Sequence, residues 1–229
     1  APTVSSISSS TSDGAYKIND NITVTVTFND NVTVDNSSGN PRIQLETGTN
    51  DRYANYVSGN STDILSFLYT VQSGDNSSDL DFKATDSLSA NNATIRDTVS
   101  QDANLTLPSP GASGSLAANR AIIIDTTAPT VTSVASSSAD GNYFFDQDNN
   151  TITITATFNE TVYVDNSSGN PRIQLETGST DQYATYVAGN SSQVLSFNYT
   201  VQSGDNAYDL DYKATNSLSA NSGTIRDSA

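Results

Sequence analysis

Ile22-Thr23-Val24-Thr25-Val26-Thr27-Phe28 alternates apolar and polar residues with period two. Successive side chains of a β-strand point to opposite faces, so this run predicts a strand with its apolar face in a core and its threonines outside. Val, Ile and Thr, branched at Cβ, fit such a pleated surface. The pattern returns as Ile152-Thr153-Ile154-Thr155-Ala156-Thr157-Phe158.

That return belongs to a duplication running through the whole chain, and a repeat constrains the architecture more than any single segment does. Ala1-Pro2-Thr3-Val4 recurs as Ala128-Pro129-Thr130-Val131, an offset of 127. The stretch from Val34 to Gly48, VDNSSGNPRIQLETG, recurs unchanged from Val164 to Gly178, an offset of 130. The extra three residues fall just after Tyr143, in FFDQDNN. Copy one therefore spans 1–127 and copy two 128–229. Copy two has no equivalent of 98–127, which includes the apolar run Ala121-Ile122-Ile123-Ile124. A last strand is expected to be missing from it: either the array continues on a longer chain, or another molecule supplies the strand.

Comparing the copies also resolves an ambiguous strand. In Leu65-Ser66-Phe67-Leu68-Tyr69-Thr70-Val71, Leu68 breaks the alternation. Copy two replaces Leu68 with Asn198 and keeps Leu195, Phe197, Tyr199 and Val201, so those four positions face the core. Further strands are expected at 3–9, 41–46, 52–57, 80–84 and 120–125, separated by Gly, Asn, Asp and Ser turns. No helical period is visible. About seven short strands per hundred-odd residues is the pattern of an immunoglobulin-like sandwich. The predicted fold is all-β: two tandem immunoglobulin-like β-sandwich domains, the second without its last strand.

Composition narrows the function. The chain has no Cys, His, Met or Trp, which removes disulfides, thiolate metal sites and the usual general base. With 25 acidic and 9 basic residues the net charge is −16, the opposite of a nucleic-acid footprint and unfavourable on an anionic membrane. No stretch approaches the roughly 18 apolar residues of a membrane span, and no signal sequence opens the chain. Abundant Ser, Thr and Asn suit an extracellular protein.

The APTV opening, the Asp13-Gly14-Ala15-Tyr16 turn, the TVTF strand, the turn from Leu45 to Gly48, the stretch from Tyr69 to Asp81 and the junction from Ile124 to Val131 resemble, in order and spacing, a known repeat class. These are the immunoglobulin-like, cadherin-like tandem repeats of large bacterial and archaeal cell-surface adhesins. The resemblance implies an extracellular, non-catalytic sandwich in a long array, often rigidified by calcium at the junctions. High Asn content and the FFDQDNN insertion depart from the usual pattern.

Strand order makes a separate prediction about the acids. If successive strands run antiparallel, the loops 10–20, 46–51 and 72–79 and the end of the last strand share one pole. They carry Asp13, Asp20, Glu46, Asp51, Asp75, Asp79 and Asp125. Calcium takes about six to eight oxygen ligands from such loops and would relieve their repulsion. The expected Ca2+ ligands are Asp125 in the linker with Asp13, Asp75 and Asp79, and, at the equivalent pole of copy two, Asp140, Asp205, Asp209 and Asp211. The competing reading is that these aspartates form solvated turns. The short linker with Pro129 would limit hinge motion, giving a stiff stalk.

Asn-x-Ser/Thr sequons occur at Asn21, Asn31, Asn36, Asn60, Asn76, Asn92, Asn104, Asn149, Asn159, Asn166, Asn190 and Asn198. Composition accounts for most of them, but each is a glycosylation candidate in a secreted protein. Two functions then compete. A structural module of a surface or filament protein has neighbouring repeats or identical subunits as partners and assembles in cis or by strand donation. An adhesin module would bind a glycan or surface receptor through loops or through Tyr53, Tyr56, Tyr183 and Tyr186. Tyrosines at alternate strand positions more often pack. An enzyme is not expected, since without His no motif supplies a nucleophile with its base.

Overall fold

The computed structural model describes residues 1–148 and 150–229. Residues Ala1–Thr127 and Ala128–Ser228 form two compact units, here unit 1 and unit 2. Unit 1 contains β1 (Val4–Ser9), β2 (Gly14–Tyr16), β3 (Asn21–Asp35), β4 (Arg42–Glu46), β5 (Arg52–Ser58), β6 (Thr62–Thr70), β7 (Asn76–Ser77), β8 (Asp81–Phe82), β9 (Leu88–Ser89), β10 (Thr94–Arg96), α1 (Leu116–Asn119) and β11 (Ile122–Asp125). Unit 2 contains β12 (Val131–Ser136), β13 (Thr151–Asp165), β14 (Arg172–Glu176), β15 (Gln182–Ala188), β16 (Ser192–Thr200), β17 (Asp211–Tyr212), β18 (Leu218–Ser219) and β19 (Thr224–Arg226).

In unit 1 one antiparallel sheet runs β1-β3-β6-β5-β4-β8, with β9 against β4 and β10 against the far end of β3. The 15-residue β3 serves three partners, β1, β6 and β10; its register against β6 shifts between Thr27 and Val32, with Val24 pairing Phe67 before the shift, and beyond it Val34 pairs Ile95 of β10. Such irregularities bend a strand, and the sheet curls around its apolar face. Unit 2 repeats the order as β12-β13-β16-β15-β14-β17, with β18 on β14 and β19 on β13. Both units are β-sandwich-like, and the strand order is compatible with an immunoglobulin-like fold.

The expected faces are the observed ones. Ile22, Val24, Val26 and Phe28 of β3 are buried against Leu65, Phe67 and Tyr69 of β6, while Thr23, Thr25 and Thr27 lie on the outer face. Each such large apolar side chain contributes about 1.5–3 kcal/mol on burial. Leu68 is half-buried on the outer face, as the Leu68 to Asn198 exchange implied. In the turn before β6, Gly59 at φ 109° passes so close to the strand that a Cβ would lie 2.1 Å from the Ile64 carbonyl oxygen; Gly189 repeats this against Val194.

Three features differ from the sequence reading. The segment 10–20 and the segment 72–79 are not plain loops: β2 and β7 flank β11 in a second sheet, β2 parallel to it and β7 antiparallel. The expected strand 80–84 shortens to β8, and β9 and β10 are additional. One helical turn, α1, occurs where none was expected; Ser115 caps it by accepting the Ala118 N–H at 3.2 Å. Unit 2 has, among the described residues, no counterpart of β11, and its counterparts of β2 and β7 are not strands.

Candidate functional site

The aspartates proposed as calcium ligands occupy unlike environments. Asp75 is fully buried, not at a loop tip. Its Oδ2 accepts the Tyr69 hydroxyl at 2.6 Å and the Gln72 N–H at 2.9 Å, and its Oδ1 accepts Arg52 Nε–H at 2.7 Å. A carboxylate so satisfied closes the turn rather than standing free at a loop tip. Asp205 is half-buried in the same arrangement, accepting from Tyr199 at 2.6 Å, Gln202 at 2.8 Å and Gln182 at 3.1 Å. Asp13 accepts the Ala121 N–H at 3.2 Å, and exposed Asp79, raised in pKa by partial desolvation and then by Asp81, also lies by Ile122. Asp125 stands at the other end of β11, about 10 Å along the strand, and accepts the Thr127 N–H at 2.9 Å. In unit 2, Asp140, Asp209 and Asp211 are exposed. Among the described residues, no three of the eight bring carboxylate oxygens within 4.8 Å of one another.

What gathers side chains and backbone groups in one place is the segment 98–127, which crosses the open side of unit 1 as a belt. Asn104 N–H donates to the Pro2 carbonyl at 2.8 Å and Leu107 N–H to that of Thr85 at 2.8 Å. Ile7 N–H donates to Gly114 at 2.8 Å, and Asn119 and Arg120 donate back to the carbonyls of Ile7 and Ser9. Asp81, buried beneath the belt, accepts the N–H groups of Gly111 at 2.8 Å and Leu116 at 3.2 Å. β11 completes the belt: Gly14 N–H reaches Ala121 at 3.0 Å and Leu80 N–H reaches Ile122 at 2.7 Å. Thr126 Oγ1 donates to the Asp75 carbonyl at 2.9 Å. Leu107, Leu116, Ile122 and Ile124 are thereby buried in the core.

The same face of unit 2 carries no belt among the described residues, and its core residues are correspondingly exposed. Phe82 is 1% exposed, whereas its counterpart Tyr212 is 40% exposed. Ile152, Val201 and Leu210 are half-buried where Ile22, Val71 and Leu80 are buried. Asp211, the counterpart of buried Asp81, is exposed and accepts its neighbour's Tyr212 N–H at 2.8 Å. A groove of about 590 Å³ lies along this face, lined by Ile152, Ile154, Tyr199, Val201 and Leu210 with Gly141 and Asn206 at its sides. A smaller hollow of about 230 Å³ adjoins Val134, Thr215 and Leu218. Val134 and Thr215 correspond to Ile7 and Thr85, which in unit 1 bond to Gly114 and Leu107.

The chain matches no family model, no curated protein and no solved structure. Its two copies are thus each other's comparison, and the site is defined by how they differ.

The sequon asparagines Asn21, Asn31, Asn36, Asn60, Asn76, Asn92, Asn104, Asn159, Asn166 and Asn190 are exposed, and Asn198 is half-buried with its Oδ1 accepting from Thr153 at 3.0 Å. Asn149 lies outside the described residues. Asn60 and Asn190 also hold the turn, each accepting a β-strand N–H, from Val34 and Val164, at 2.8 Å. Tyr56 and Tyr186 pack edge-on against Phe67 and Phe197. Tyr53 and Tyr183 are 40% exposed, each under a guanidinium, Arg42 and Arg172, at 4.0 Å. No helix among the described residues is long and apolar enough to cross a membrane. The belt contacts of Asp81 were not foreseen from sequence; its repetition as Asp211 beside a changed core residue, Phe82 to Tyr212, was the available signal.

Proposed function

We propose that the chain is a non-catalytic structural module of an extracellular surface or filament protein, a stalk-like tandem repeat. The observation that carries this reading is the repetition of one β-sandwich-like unit, with the same strand order, in both halves of the chain. Duplication, outward-facing threonines and a net charge of −16 fit a soluble extended array.

Calcium enters the proposal as a stiffening cofactor on the strength of charge and of Asp125, at the end of β11 beside the linker. The hydrogen-bonded carboxylates of Asp75, buried, and Asp205, half-buried, take no part in it. Immunogold labelling of source cells with antiserum against the chain is expected on the envelope or on filaments. Label confined to the cell interior overturns the reading.

A second reading, an adhesin module for glycan or protein, draws on one observation: an exposed tyrosine stacked with arginine recurs on the equivalent strands β5 and β15. Arginine and aromatic rings are common in binding surfaces. Saturable glycan-array binding lost in Tyr53→Ala and Tyr183→Ala would favour it over the stalk.

A further inference from the structure

We infer that unit 1 is built to resist tension along its strands: the segment 114–125 ties β1 directly to the exit of the unit, and a pull on the two ends loads those ties in shear. The inference deepens the stalk reading and rests on it, since only a module pulled along its length has use for such a tie.

The first and last residues of unit 1 are held at opposite ends of the first part of β3. Val4 pairs Phe28, and just beyond it Thr3 accepts the Asn29 N–H at 3.0 Å and donates its own N–H to Asn29 Oδ1 at 2.7 Å. At the other end, Asn21 pairs Thr70, the last residue of β6, and the turn after β6 receives the outgoing chain. There Asp125 pairs Asn76, and Thr126 Oγ1 donates to the Asp75 carbonyl at 2.9 Å and accepts the Gly74 N–H at 3.2 Å. The bonds from Tyr69, Gln72 and Arg52 to the Asp75 carboxylate fix that turn. At the usual rise per residue, Asn21 and Asn29 stand about 27 Å apart. A force drawing Ala1 and Thr127 apart therefore acts along the strands.

Between those ends the late segment lies directly on the early one. The Ile7 N–H donates to the Gly114 carbonyl at 2.8 Å, Asn119 Nδ2 donates to the Ile7 carbonyl at 2.7 Å, and Arg120 Nε donates to the Ser9 carbonyl at 2.9 Å. The segment then continues as β11 between β2 and β7. Under tension β1 is drawn one way and 114–125 the other. Hydrogen bonds that cross the strand direction then resist sliding together, whereas peeling would break them one after another. Two features keep the segment from lifting off: Leu116 is fully buried, and Asp81 accepts the N–H groups of Gly111 and Leu116. With no cysteine in the chain, no disulfide can share the load. Sealing the free edge of β1 accounts for these contacts equally well at equilibrium. The two roles differ under force, because only a shear tie makes resistance depend on the direction of the pull.

The test is single-molecule forced unfolding of the full chain. Because the chain has no cysteine, introduced thiols are its only attachment points. One form carries Ala1→Cys and Thr127→Cys, which pulls unit 1 along its strands. The other carries Ser5→Cys and Asn55→Cys, at exposed positions on β1 and β5, which pulls across the sheet. Forced unfolding follows the unfolding barrier rather than equilibrium stability, so at one pulling speed the lengthwise force should be at least about twofold higher. Adding Asn119→Ala and Arg120→Ala should bring the lengthwise force down towards the crosswise one and leave the crosswise force nearly unchanged. Asn119 is exposed and Arg120 half-buried, so the doubly altered chain is expected to keep its fold, checked by an unchanged circular dichroism spectrum. Equal forces in the two directions, which need no further variant to observe, overturn the inference. So does a lengthwise force that the loss of Asn119 and Arg120 leaves as it was. Immunogold labelling reads location alone, so label on the envelope or filaments with equal pulling forces would discard the tie and keep the stalk.

Discussion

The phenol of Tyr69 donates to the fully buried carboxylate of Asp75 at 2.6 Å, and Tyr199 makes the same 2.6 Å bond to Asp205. The other Asp75 oxygen differs between copies, receiving Arg52 in unit 1 where Asp205 receives the neutral amide of Gln182. Unit 1 thus buries an ion pair where unit 2 manages with a hydrogen bond. The duplication itself supplies the control for what that charge contributes.

Replacing Arg52 by Gln gives unit 1 the partner that unit 2 already has, and about 1 kcal/mol of destabilisation is expected. Arg52→Ala leaves the buried carboxylate without that partner, which is the costly case. Because the Arg52 side chain is 26% exposed, water can partly replace it, and about 2 kcal/mol is the expected loss. Urea denaturation of the two variants gives both values, and equal losses would mean that the charge is irrelevant.

The two buried phenols set an alkaline limit. Burial first, and then the bond to Asp75 or Asp205, raises the pKa of Tyr69 and Tyr199 above the ordinary tyrosine value. The unfolded chain releases these protons near pH 10 (about the free tyrosine value) while the folded units still hold them. Stability from this source is complete below that pH and falls as pH rises above it. Denaturation midpoints measured from pH 8 to pH 11 should decline above about pH 10. Tyr69→Phe should lower stability at pH 8 and flatten the decline for unit 1.

How far the sequence foretold this depends on which physical signal each part carries. Half-buried strands write their faces into the chain as alternation, so Ile22 to Phe28 and Leu65 to Val71 were legible, and a second copy resolved Leu68. β2, β7 and β9 have only two or three residues each, too few for any period, and depend on long-range partners. α1, with four residues, is equally silent. Asp75 reads as a turn residue because its burial comes from Arg52, 23 positions away, and from Tyr69 on the neighbouring strand. The open face of unit 2 was foreseeable from the unmatched segment 98–127, but the polar groups along it, the Leu210 N–H donor and the Asp211 carboxylate acceptor, are visible only in three dimensions.

Calcium makes a prediction that separates linker from loops. If a cation stiffens the array through Asp125, calcium-loaded protein should melt higher than protein in excess chelator, and Asp125→Asn should remove most of that difference. Asp79→Asn should leave it largely intact, since Asp79 stands at the opposite end of β11. Identical melting curves with calcium and chelator end the calcium proposal.

The copies should also respond unequally to the same core truncation. Leu80 is fully buried beneath β11, whereas Leu210 lines an open groove and is half-buried. Leu80→Ala removes packed methylenes and leaves a cavity, costing about 2–5 kcal/mol. Leu210→Ala removes groups that already meet solvent and leaves no enclosed space, so about 1 kcal/mol or less is expected. Calorimetry of the wild-type chain should show two transitions, the lower belonging to unit 2, with Leu80→Ala shifting only the upper. A single transition, with both alanine variants equally destabilised, would mean that the missing belt costs unit 2 nothing.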